Sequence, residues 1–218
     1  IVFGDWSSDV CSSDLTPAHD RSSPDFIYSQ YEWGGVGRTY SNRWLTMISP
    51  SYFVSCKHWF PLTQESVDFI VDGKRQQYMV DSFKVVMMTP NSRGELFESD
   101  LMIGRLTEET DLPYYSIVDV PEDTAVIALG TPDRAGSNEI DRIYTYYRGY
   151  SSGGQIISTY TKVSSYTYND LPGEFQFQPG DSGAPTFVDI DGELAVIGVH
   201  YWSTLGPVEF GQDRKSVV

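Results

Sequence analysis

Gln178-Pro179-Gly180-Asp181-Ser182-Gly183-Ala184-Pro185, continuing through residues 186–202 as TFVDIDGELAVIGVHYW, is the stretch that decides the fold. Two β-branched and aromatic runs, 184–190 and 194–202, flank Ile190-Asp191-Gly192-Glu193. An Asp-Gly pair between such runs is the turn that suits right-twisted antiparallel strands. Upstream, Gly180 carries no Cβ, so its N–H can turn inward beside that of Ser182. Gly183 and Pro185 then lead the chain into the first strand.

The rest of the chain repeats this texture. Strand-forming runs are predicted at 26–31, 43–48, 52–55, 66–71, 77–88, 101–106, 125–129, 140–147 and 155–162. A second Asp-Gly turn sits at Val71-Asp72-Gly73-Lys74. No stretch holds a 3.6-residue apolar period over three turns, so many short strands without helices predict an all-β fold of barrels or a sandwich. The stretch 107–123 (TEETDLPYYSIVDVPED) is acidic, contains two prolines and reads as a linker. It divides the chain into β units at 16–106 and 124–212.

Both ends look foreign. Residues 5–15 (DWSSDVCSSDL) resemble the in-frame translation of a sequencing adapter, and 213–218 (DRKSVV) resemble that of the opposite one. We therefore expect 1–15 and 213–218 to be adapter-derived and the second unit to be truncated at its C-terminal end. Ile1-Val2, which could pass for the freed terminus of an activated zymogen, lies upstream of the adapter-like string. Setting aside Cys11 leaves Cys56 alone, so no intrachain disulfide is expected.

The chain has 218 residues, 40% of them hydrophobic, which suffices for a sizeable core. Its formal charge of -15 argues against binding nucleic acid or an anionic membrane surface. No apolar run reaches the ~18 residues that a membrane-spanning helix needs.

The string 178–185 resembles the Gly-Asp-Ser-Gly-Gly-Pro nucleophile loop of trypsin-like, chymotrypsin-fold serine proteases, with Ala184 in place of the second Gly as in bacterial members. A serine nucleophile needs a base, and the base needs an orienter. The chain has only 3 histidines, His19, His58 and His200. His58 ends the run Ile48-Ser49-Pro50-Ser51-Tyr52-Phe53-Val54-Ser55-Cys56-Lys57-His58. This is similar to the family's hydrophobic strand ending in Thr/Ser-Ala-Ala-His, with Cys56-Lys57 where Ala-Ala is usual. The Lys57 cation beside the base is an expected perturbation of it. Asp100 heads the apolar run Leu101-Met102-Ile103-Gly104-Arg105-Leu106, which resembles the family's Asp-Ile-Ala-Leu-Leu-Lys-Leu strand.

The order His58, Asp100, Ser182 is that of chymotrypsin. The resemblance implies a double six-stranded antiparallel β-barrel. It also implies catalytic His58, Asp100 and Ser182, and an oxyanion hole from the N–H groups of Gly180 and Ser182. The implied chemistry is peptide-bond hydrolysis through an acyl-enzyme, with no metal or cofactor. The implied protein is a bacterial, secreted or envelope monomer acting on proteins or peptides. A catalytically inactive protease-fold module for binding or scaffolding is the alternative.

Other serine-hydrolase layouts fail. The α/β-hydrolase elbow needs Gly two residues after Ser, where Ala184 stands, and the order Ser, acid, His. No two histidines have metal-ligand spacing. Asp189-Ile190-Asp191-Gly192-Glu193 resembles part of a calcium loop but reads better as the hairpin turn.

For specificity, the family position six before the nucleophile, which floors the P1 pocket, is Gln176, followed by Phe177. Without an Asp there, a tryptic preference is not expected. His200 interrupts the apolar strand 196–203, and a similarly placed His in glutamyl endopeptidases faces the P1 carboxylate. Ser203 could add a hydroxyl donor. His200 therefore carries two readings: an acidic P1 preference, or a structural histidine bonded inside the barrel. Phe177 departs from the small hydroxyl residue of the acid-specific enzymes.

Overall fold

The computed structural model describes residues 17–89, 94–152, 155–169, 171–203 and 213–217. After a 3₁₀ turn at Pro17–His19, the described chain is built from strands. They are β1 (Val36–Thr39), β2 (Trp44–Met47), β3 (Tyr52–Cys56), β4 (Ser66–Val71), β5 (Lys74–Met88), β6 (Phe97–Leu106), β7 (Ser116–Ile117), β8 (Ala125–Gly130), β9 (Arg134–Glu139), β10 (Arg142–Ser152), β11 (Gln155–Tyr168), β12 (Pro185–Ile190), β13 (Glu193–Ser203) and β14 (Asp213–Val217).

The first barrel runs β3-β2-β1-β4-β5-β6 and closes by pairing β3 with β6. Closure removes both sheet edges. Its interior is filled by Leu45, Met47, Phe53, Val67, Phe69, Val80 and Leu106. The fill depends on Gly104, which faces Phe53 across the β3–β6 ladder. A Cβ at Gly104 would lie 2.1 Å from the Phe53 ring, so the ring occupies the space a side chain would need. The second unit lines up β11-β14-β13-β12-β8-β9, with β10 hairpinned onto β11. The segment around Glu174 bridges to Ser137 on β9. Ala128, Tyr166, Phe175 and Phe177 pack inside it.

Both Asp-Gly turns form as read. Asp72 and Gly73 have φ of 50° and 71°, and Asp191 and Gly192 have 55° and 91°. Positive φ at both central residues is the primed turn that keeps hairpin strands aligned.

Several strand expectations are corrected. Residues 26–31 form turns rather than a strand, because Phe26 packs edge-on against Tyr28 and at a tilt against Trp33 instead of alternating across a sheet. Val36–Thr39 and Arg134–Glu139 are strands although their Gly-containing and polar sequences carry little β signal. The linker 107–123 contributes β7, a short parallel partner of β13. Asp213–Val217, within the stretch expected to be adapter-derived, forms β14 between β11 and β13.

The largest cluster of buried side chains lies where the two barrels meet. Trp44, Val54 and Cys56 from the first barrel pack with Ile127, Leu129, Ala184, Phe187 and Val199 from the second. Trp33 and Tyr115 stack edge-on against Phe187. A separate apolar cavity of about 200 Å³ is lined by Val54, Leu101, Ile117, Val196 and their neighbours, and none of its lining residues belongs to the triad described next.

Candidate active site

Three local structures converge at the edge of the inter-barrel seam. The β3–β6 register pairs Cys56 with Leu101, which brings His58, two residues past Cys56, beside Asp100. The Lys57 N–H donates to the Asp100 carbonyl and continues the ladder past the strand end. Ser182 sits in a turn whose flanks are fixed to β13. Gly183 N–H donates to His200 O at 2.9 Å, and His200 N–H donates to Ala184 O at 2.8 Å. Gly183, at φ 85°, lets this turn press against the first barrel, since a Cβ there would lie 3.0 Å from Ser55 Oγ and 3.3 Å from Cys56 Sγ.

The resulting relay is continuous. His58 Nδ1 lies 2.6 Å from Asp100 Oδ2, and His58 Nε2 lies 2.8 Å from Ser182 Oγ. Asp100 is 2% exposed. A buried carboxylate must be hydrogen-bonded to persist as an anion. Here Oδ1 accepts the His58 backbone N–H at 3.1 Å while Oδ2 faces the imidazole. The Asp100 backbone N–H donates to Thr161 Oγ1 on β11 at 3.0 Å, tying the acid to the second barrel. Tyr201 covers His58 edge-on with ring centroids 6.0 Å apart.

Lys57, expected to perturb the base, instead forms an ion pair with Glu98, so its charge is compensated locally. Cys56 Sγ lies 3.9 Å from His58 Nε2, and the donor atoms of Cys56, His58 and Asp100 fall within 4.8 Å of one another. Burial pushes the Cys56 thiol well above its usual pKa, and the nearby Asp100 charge pushes it the same way. A thiol held protonated is a poor metal ligand, and His58 Nδ1 is already committed to Asp100. The cluster is the packing behind the triad.

Gly180 has φ of 100°, and neither its N–H nor that of Ser182 is engaged among the described residues. Gly180 O accepts from Trp44 Nε1–H at 2.9 Å and Thr131 Oγ–H at 3.0 Å.

Beside Ser182 lies a pocket of about 160 Å³ lined by Phe177, Gln178, Pro179, His200 and Tyr201, among others. Of the four expected pocket residues, Phe177 and His200 are there. Gln176 is half-buried and outside the lining, and the Ser203 side chain is outside the described residues. His200 is buried, with Nε2 3.0 Å from Thr186 Oγ1. Burial drives its pKa well below the usual value, partly opposed by the Asp181 backbone carbonyl. The Phe177 ring stands edge-on to it at 3.8 Å between centroids. Sequence reasoning assigned no role to Tyr201 or Thr131. Tyr201 lies two residues from Val199 on the same face of β13, which is a period-two signal, whereas nothing local in the sequence marks Thr131.

No protein-family model matches the chain, and no curated protein sequence matches it. Solved structures do. The active form of the Rv3671c protease from M. tuberculosis superposes with a TM-score of 0.53 at 16% identity, covering 88% of this chain and 79% of that one. An inactive chimeric murine norovirus NS6 protease gives 0.52 at 16% identity, covering 85% and 93%. An inactive murine norovirus NS6 protease extended into NS7 gives 0.50 at 16% identity, covering 85% and 92%. At such identities the likeness establishes the fold, a chymotrypsin-like double barrel.

The neutral, buried His200 makes stability depend on pH. The unfolded chain binds a proton at this imidazole below about pH 6.5, while the folded chain resists it. Its contribution is therefore intact above about pH 6.5 and is lost as pH falls toward the depressed folded value. Urea unfolding should show stability dropping below pH 6.5 with a slope approaching about 1.4 kcal/mol per pH unit from this group. His200→Phe should flatten that slope; an unchanged slope would remove His200 as its source.

Proposed function

We propose that this protein is a serine endopeptidase. The observation that carries the reading is the unbroken Asp100–His58–Ser182 relay, with contacts of 2.6 and 2.8 Å spanning both barrels. The structural neighbours are named as proteases, which supports proteolysis in general rather than the serine type.

The chemistry follows from the geometry. Asp100 Oδ2 accepts a hydrogen bond from Nδ1–H, which keeps the proton on Nδ1 and leaves Nε2 with its lone pair toward Ser182 Oγ. As Oγ attacks the scissile carbonyl, Nε2 takes the hydroxyl proton and His58 becomes a cation. The buried Asp100 carboxylate stabilises that cation at short range. The carbonyl oxygen, now negative, is met by the N–H groups of Gly180 and Ser182. Collapse of the intermediate breaks the C–N bond, and His58 returns its proton to the leaving amine. Water then repeats the sequence on the acyl-enzyme.

For substrate choice we propose an acidic P1 residue. What supports it is a buried imidazole lining the pocket beside Ser182, with Nε2 held by Thr186. A P1 carboxylate entering the pocket would raise the affinity of His200 for a proton and form a charge-assisted bond. The preference is then proton-linked, because His200 is neutral in the free protein. The bacterial, extracytoplasmic, monomeric setting is part of the same proposal and rests on the resemblance of the 178–185 string, with Ala184 at the second-glycine position.

A fluorophosphonate probe should label the protein on Ser182, and Ser182→Ala should abolish labelling. His58→Ala should lower kcat by about 10⁴-fold or more. Absence of labelling in the wild type would instead favour the non-catalytic binding module. With matched peptides, the kcat/KM ratio of P1 Glu to P1 Gln should rise as pH falls from 8 to 6; a ratio independent of pH would remove His200 as the carboxylate's partner.

A further inference from the structure

Gly180 is the loop's most mobile kind of residue, yet it must aim its N–H at a developing oxyanion. Its φ of 100° lies where only glycine is comfortable, so the backbone itself does not confine it. The confinement comes from the other end of the residue. Gly180 O accepts Trp44 Nε1–H at 2.9 Å and Thr131 Oγ–H at 3.0 Å, with Asn42 Nδ2 at 3.5 Å from both Gly180 O and Thr131 Oγ1. A carbonyl has two lone pairs, and the two short bonds use both.

Thr131 has a wider grip. Its N–H donates to Asp181 Oδ1 at 2.6 Å, and its carbonyl accepts Gln178 Nε2. Asp181 Oδ2 in turn accepts the Gln178 N–H at 2.8 Å. Gly130 makes room for this, since a Cβ there would lie 2.6 Å from Asp181 Oδ1. One residue of the β8–β9 turn thus holds the loop at 178, 180 and 181, three of the four positions before Ser182. Trp44 opens β2, and Asn42 lies in the turn before it at φ 61°. The clamp therefore draws on both barrels.

We propose that Thr131 is a positioning residue for the oxyanion hole, acting with Trp44 and Asn42 through the Gly180 carbonyl. This rests on the serine-endopeptidase reading given above. The 180–181 peptide plane lies between the two planes that carry the Gly180 and Ser182 N–H groups, so holding it at Gly180 O, and holding Asp181 through its carboxylate, restricts the rotations that would turn those N–H groups apart before substrate arrives. Such preorganisation acts on the transition state rather than on ground-state binding. The Thr131 hydroxyl is the part of the clamp that can be removed at nearly constant volume.

Thr131→Val should lower kcat about 10- to 100-fold with KM within about 2-fold. Affinity for a peptide trifluoromethyl ketone, which mimics the tetrahedral oxyanion, should fall in parallel with kcat/KM. Thr131→Ser, which keeps the hydroxyl, should restore both. Hydrogen exchange of the 178–184 backbone supplies a readout that needs no turnover: it should rise at least about 10-fold in Thr131→Val and stay near wild type in Thr131→Ser. Trp44→Phe should reproduce the exchange effect from the other barrel. Should Thr131→Val and Thr131→Ser behave alike, or the exchange of 178–184 stay unchanged in Thr131→Val, the clamp is overturned. A wild type that takes no fluorophosphonate overturns the enzymatic reading instead, and the exchange data still decide the clamp.

Discussion

The bond between the buried Asp100 carboxylate and His58 Nδ1 is the constraint that the rest of the molecule serves. A carboxylate 2% exposed is tolerable only with its oxygens satisfied, and Asp100 receives the imidazole on one and a backbone N–H on the other. Removing His58 would leave a buried anion short of a partner, which costs far more than the bond itself contributes. The first barrel supplies both partners from adjacent strands, so closure of that barrel through the β3–β6 ladder is a condition for the site. Gly104 and Phe53 sit on that ladder, linking a packing detail to the chemistry at its open end.

Ser182 comes from the other barrel, and its placement beside His58 is a docking problem. The aromatic cluster of Trp33, Trp44, Tyr115 and Phe187 fills the seam. The small residues Gly183 and Ala184 let the serine turn approach Ser55 and Cys56 closely. Close-packed interiors resist deformation, so the packing of the seam helps to hold Ser182 beside His58. Thr161 reinforces the seam from β11 by accepting the Asp100 N–H. A chain this acidic gains nothing at the seam from like charges, and the described ion pairs there use the few cations present, Arg21 and Arg38 on Asp133.

The parts legible from sequence are those whose function is local in the chain. The 178–185 string is readable as a tight turn because Gly180 and Gly183 take dihedrals that favour glycine. His58 and Asp100 are readable because each sits at the end of an apolar β run. The hairpins at Asp72-Gly73 and Asp191-Gly192 are readable because few residue pairs suit their dihedrals. The failures have a common cause. Residues 26–31 carry β-type side chains used for aromatic packing in turns, and Arg134–Glu139 is a strand held by its partner rather than by its own composition. Thr131 meets, through both its hydroxyl and its backbone, residues some 50 positions away. Of the neighbouring pair Gln176 and Phe177, the loop's path brings only Phe177 into the pocket lining.

The central claim is that Asp100 sets the tautomer of His58. Nitrogen-15 NMR of histidine-labelled protein at neutral pH measures this directly. The account predicts a strongly downfield proton on Nδ1 of His58, with Nε2 unprotonated, and loss of that downfield signal in Asp100→Asn. A His58 protonated on Nε2 in the wild type, or a proton resonance indifferent to Asp100→Asn, would contradict it.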